Sequence, residues 1–122
     1  MKKIKIALSV ADAAEHFTRS LKEKGFKIIC DVDHQANANG VDLELPASRL
    51  LIFGNPAVGT KLMQQDLAMS LDLPLRLAII DDAGQTLLIH HTSDDYCNNY
   101  QVENHPVLKG IEALFATLAS EV

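Results

Sequence analysis

A chain of 122 residues has room for one hydrophobic core and not for two. Its 48% hydrophobic and 22% charged residues suit a globular domain that needs neither metal nor disulfide staples. The formal net charge of -5, with Lys2, Lys3 and Lys5 as the only basic cluster, excludes a nucleic-acid partner and an anionic membrane surface, which both require a basic face.

The chain opens with alternation over residues 3 to 10. Ile4, Ile6, Leu8 and Val10 fall on one side and Lys3, Lys5 and Ser9 on the other, the pattern of a half-buried strand. Asp12 is the expected cap of the next helix, whose Ala14, Phe17 and Leu21 form a one-sided stripe and whose stop is Gly25. Phe26, Ile28, Cys30 and Val32 predict a second strand, with Cys30 as a small core residue. Residues 33 to 48 are small and polar and read as a short helical segment and a loop.

Leu50 to Phe53 predict a third strand, apolar on both faces and therefore interior. Gly54 permits a tight turn, Asn55 caps the following helix, and Pro56 occupies its first position, where a missing N–H costs nothing. Leu62 and Met63 should face the core. Leu75 to Ile80 and Thr86 to His91 make a hairpin through Asp81-Asp82-Ala83-Gly84. Residues 93 to 104 are polar, and Pro106 opens a last helix carrying Val107, Ile111, Leu114, Phe115 and Leu118 on one side. The order predicts a single domain over residues 1–122. It is an α+β fold with a mainly antiparallel sheet of about five strands, two long helices on one face and a short extra helix.

No run approaches the roughly 18 apolar residues that cross a bilayer, and no leader pattern is visible in a start broken by Lys5, Asp12 and Glu15. Cys30 and Cys97 make no disulfide framework, so a cytoplasmic protein with reduced thiols is expected.

Several groups of residues invite a chemical reading. Gly54 and Gly59 have the spacing of a phosphate loop, but Thr60-Lys61 reverses the order that places lysine on phosphate and a hydroxyl on metal. The bland alternative, a strand-to-helix turn with a cap, is preferred; a helix start can still hold an anion. Asp31, Asp33 and His34 could ligate metal with His90, His105 or Cys97, or could form a solvated strand end. His90 and His91 are adjacent in a strand and point to opposite faces, so they cannot easily share one ion. Arg76 shares a sheet face with Ala78 and Ile80; it suits a carboxylate or phosphate fork, or a salt bridge to Asp72. Asp94, Asp95 and Glu103 read as solvated charge.

Three segments together carry a family resemblance. They are Asp33-His34, then Phe53-Gly54-Asn55-Pro56 with Gly59-Thr60, then Leu71-Asp72-Leu73-Pro74-Leu75-Arg76. The chain resembles the domain of unknown function 302 family. That likeness implies a small bacterial α+β domain with a curved antiparallel sheet, similar to the TATA-binding-protein-like fold and often dimeric. It implies no reaction and no cofactor.

The expected function is a non-catalytic small-ligand-binding or interaction module, homodimeric, accepting a small anionic ligand. Asp33, His34, Gly54, Asn55 and Arg76 are the candidate binding residues, and no residue is assigned a catalytic or metal-binding role. The alternatives are a small enzyme, using His34 or His90 as acid–base with Arg76 or the Asn55 helix start holding an anion, and a His/Asp metal-binding protein.

Overall fold

A computed structural model describes all of residues 1–122. Its five strands are β1 (Lys2–Ile6), β2 (Lys27–Asp33), β3 (Ser48–Gly54), β4 (Leu75–Asp82) and β5 (Gln85–His90), and they form one sheet in the order β1-β5-β4-β3-β2. Every neighbouring pair is antiparallel. The helices are α1 (Val10–Glu23), α2 (His34–Asn39), α3 (Pro56–Gln65), α4 (Ser93–Asn99) and α5 (Pro106–Ser120), with a 3₁₀ turn at Leu67–Leu71. The expected α+β architecture is present, including the two long helices, α1 and α5.

Strand alternation decides where the core lies. Ile6, Leu51, Phe53, Leu75, Leu77, Ile79 and Leu88 turn to one face and are buried with Phe17 and Leu21 of α1 and with Ile111, Phe115 and Leu118 of α5. Phe53 meets Phe26 and Phe115 edge-on at centroid distances of 5.6 and 6.2 Å, a favoured aromatic geometry. The opposite face carries Leu50, Ile52, Ala78, Ile80 and Ile89, all only partly covered.

The hairpin between β4 and β5 forms where the turn chemistry places it. Ala83 and Gly84 both take positive φ, 51° and 90°, as a two-residue turn of this hand requires.

The structure corrects several expectations. Ser9, not Asp12, caps α1: its Oγ accepts from the Asp12 N–H at 3.1 Å, and Asp12 lies one turn inside. Cys30 is exposed rather than in the core. β2 is an edge strand, and a register shift between Ile28 and Cys30 sets Cys30 opposite Ile52, away from the helices. The stretch from residue 93 to residue 104 is not simply polar. It contains α4, and Tyr96, Tyr100 and Val102 are buried. Asp95 is not free solvated charge, because it completes a capping box with Thr92 and pairs with the Met1 amine at 2.7 Å.

Candidate functional site

The turn from β3 into α3 is built by three consecutive residues. Asn55 is extended (φ -132°, ψ 117°), and its Oδ1 accepts from the Ala57 N–H at 3.0 Å. Pro56 has no N–H to satisfy. The Val58 and Gly59 N–H groups donate to the Asn55 carbonyl at 2.9 and 3.1 Å. All of the first-turn donors are therefore engaged, and none remains for an anion. The helix already runs through Gly59, so no loop is left to wrap a triphosphate.

Gly54 is required for a close approach. A Cβ at this position would lie 3.2 Å from the Pro74 Cβ, tighter than ordinary carbon contact. A Cβ on Gly59 would meet the Leu73 Cδ1 at 3.6 Å. The two motif segments, separated by ten residues in the chain, thus pack against each other.

Between them lies a cleft of about 390 Å³. Ile29, Pro56, Val58, Met63, Leu73 and Leu75 supply its apolar surface. Its polar side chains are those of Lys27, Asn55 and Thr60, and Lys27 is its only charged group. None of the chain's six ion pairs involves Lys27.

Only Gly54 and Asn55 of the five candidate residues meet there. Asp33 caps α2 by accepting from the Ala36 N–H at 2.9 Å, and the exposed His34 is the first residue of that helix. Asp33 pairs with Arg49 and Lys27 with Gly54, so the two ends of the β2–β3 ladder are about 17 Å apart. Arg76 lies on the open sheet face and donates to Asp72 Oδ1 at 2.8 Å, the salt bridge weighed against a ligand role. Tyr100 donates its hydroxyl to the same carboxylate. The bond to Asp72, followed by burial and the Asp72 charge, raises the Tyr100 pKa. Asp31 is held by Arg49 in a two-pronged pair at 2.9 and 2.5 Å.

A second crevice, about 580 Å³, runs between β5 and α5. His90 is 8% exposed and stacks on Phe115 at 4.0 Å. Its Nδ1–H donates to the His91 carbonyl at 2.7 Å. Burial lowers its pKa, which favours the neutral ring. Ser93 Oγ and His91 Nδ1 are buried without a hydrogen-bond partner; His91 Nδ1 stands 3.5 Å from Asp95. No serine or cysteine bonds an imidazole here, so the nucleophile–base contact of a covalent enzyme is not formed. Asp33, His34, His90, His105 and Cys97 do not converge, and no three His, Cys, Asp or Glu side chains stand close enough to hold a metal ion. His105 instead caps α5 through Nδ1.

The cleft-lining roles of Lys27, Thr60, Met63, Leu73 and Pro74 were not expected from the sequence. Thr60, Leu73 and Pro74 lie within the segments that carry the family resemblance, a usable signal. Lys27 depended on knowing that it pairs with Gly54.

A sequence model described as "Domain of unknown function DUF302" matches residues 2–118. A crystal structure described as an uncharacterized conserved protein DUF302 from Bacillus stearothermophilus superposes with a TM-score of 0.75 at 18% identity, covering 98% of this chain and 92% of the other. Among curated proteins, "Fluoride-specific ion channel FluC 1" of Brucella suis is 43% identical over 81 residues, 66% of this chain and 32% of that protein. The protein of that name from Brucella abortus gives the same identity over 30% of its length. The chain spans about a third of the length of these relatives.

Proposed function

The chain belongs to the DUF302 family, and on that premise we propose that it is a non-catalytic binding module whose ligand occupies the cleft between the β3–α3 turn and the Leu73–Leu75 segment. One observation carries this reading: the two motif segments pack together around an accessible, mainly apolar cleft. Its size is in the range of small-molecule sites. Gly54 allows the close approach of Pro74, and Asn55 fixes the helix start that forms one wall. The engaged first-turn amides and the Arg76–Asp72 pair weigh against a small bare anion as the ligand. Asp33, His34 and Arg76 are given no part in this cleft.

Fluoride conduction is not part of the reading. No helix is long and apolar enough to cross a membrane, and the sheet is open, with edges at β1 and β2. The two free thiols suit a cytoplasmic setting.

Ligand-observed NMR with a set of small apolar probes tests the cleft. Binding should occur and should be lost in Gly59→Met, which fills the cleft from a helical position where a Cβ makes an ordinary contact. Binding that survives in a folded Gly59→Met protein would refute the assignment.

A homodimer is supported by a separate observation. Leu50, Ile52, Ala78, Ile80 and Ile89 leave an apolar strip on the uncovered sheet face, and Val41, Leu43 and Leu45 are exposed just before β3. Sedimentation should give twice the 13.4 kDa chain mass, and Ile80→Lys should give the single chain. A wild-type monomer would end that reading.

A further inference from the structure

The geometry points to an amphipathic carboxylate as the ligand class, with an aliphatic body in the cleft and Lys27 as the residue that selects its charge. This deepens the binding reading above and rests on it.

A cleft of about 390 Å³ is in the size range of sites for a small organic molecule. Most of the lining is apolar, so burial of hydrocarbon supplies the favourable free energy. Sign comes from Lys27. It is the single charged residue of the lining, no acidic residue accompanies it, and it belongs to no ion pair in the chain. Lys27 pairs with Gly54 at the start of β2, is exposed and lines the cleft, an arrangement in which a lysine stem can cover apolar surface while its head stays wet. Thr60 adds a hydroxyl that can donate to a carboxylate oxygen.

The alternatives fit less well. Phosphate or another small anion would need backbone donors at the start of α3, and those are already bonded to Asn55. A cationic amphiphile would face Lys27. A neutral hydrocarbon would fill the volume but gain nothing from the ammonium.

The test compares decanoate, decan-1-ol and decyltrimethylammonium, each below its micellar concentration, by calorimetric titration of the full chain. Decanoate should bind more tightly than either of the others, by a factor of up to about five, the range of a solvent-exposed ion pair. Lys27→Met should reduce decanoate to the level of decanol, and Lys27→Glu should reverse the preference toward the ammonium. Circular dichroism checks that both variants are folded, and Lys27 is exposed at the sheet edge, where substitution is tolerated. Equal binding of decanol and decanoate would overturn the carboxylate class and leave the cleft as a ligand site. An unchanged preference in Lys27→Glu would overturn the role of Lys27. Failure of all three to bind would overturn this inference, and probe binding lost in Gly59→Met would still uphold the cleft itself.

Discussion

Removing the side chain of Asn55 isolates one interaction at the centre of the turn. In Asn55→Ala the Ala57 N–H loses its 3.0 Å acceptor, while Val58 and Gly59 keep the Asn55 backbone carbonyl and Pro56 has no donor to lose. One donor is therefore stranded, at the exposed Ala57, where water can reach it. The cost should be that of one lost cap, about 1 kcal/mol, equivalent to about 4 °C in Tm for a domain of this size. Asn55→Asp should stay within a few tenths of a kcal/mol of wild type, because a carboxylate accepts the same bond and suits a helix start. Urea denaturation with unchanged m separates this local loss from a change in the unfolded state. A wild-type midpoint for Asn55→Ala would refute the cap. A loss beyond about 3 kcal/mol would show that the side chain supports more than this one donor.

Gly54→Val should destabilise the fold by about 1–3 kcal/mol, since it drives carbon into Pro74, and chemical denaturation measures this directly. Tyr100→Phe removes a hydroxyl bonded to the Asp72 carboxylate and should cost about 1–2 kcal/mol, whereas Arg76→Ala, at a more exposed site, should cost under about 1 kcal/mol in the same assay. Glu121 is a pH-dependent contributor. Burial works to raise its pKa, but hydrogen bonds from Lys24, Ser20 and His16 outweigh it and hold the carboxyl at about 2, against an ordinary 4.5. A depressed folded pKa stabilises above 4.5 and loses that contribution as pH falls toward about 2. Glu121→Gln should reduce the decline in stability across that window; an unchanged acid limb would show that the cluster is not linked to folding.

Much of the fold was legible because its signals are local. The Ala14–Phe17–Leu21 stripe, Gly25 and the Asp81–Gly84 turn each specify backbone geometry within a few residues. The alternation over residues 3 to 10 was right only in its first half: β1 ends at Ile6, and Val10 opens α1 because Ser9 caps a helix there. What escaped depended on neighbours. Cys30 looked like a core residue until the register shift at Ile28/Cys30 placed it on the outer side of an edge strand. α4 was hidden in polar sequence, although Thr92 and Asp95 have capping-box spacing and Tyr96 and Tyr100 lie four residues apart on one side. The site divided in the same way. Gly54 and Asn55 were readable as a turn and a cap. Their partners Lys27, Leu73 and Pro74 became visible only through strand pairing and the packing of one motif segment on another.

Backbone amide chemical shifts, followed while decanoate is titrated into the folded chain, test the location of ligand binding most directly. The account predicts saturable changes centred on Gly54, Asn55, Gly59, Thr60 and Leu73, with little movement at His90, His91 and Ser93. Changes centred on the β5–α5 crevice instead would contradict it.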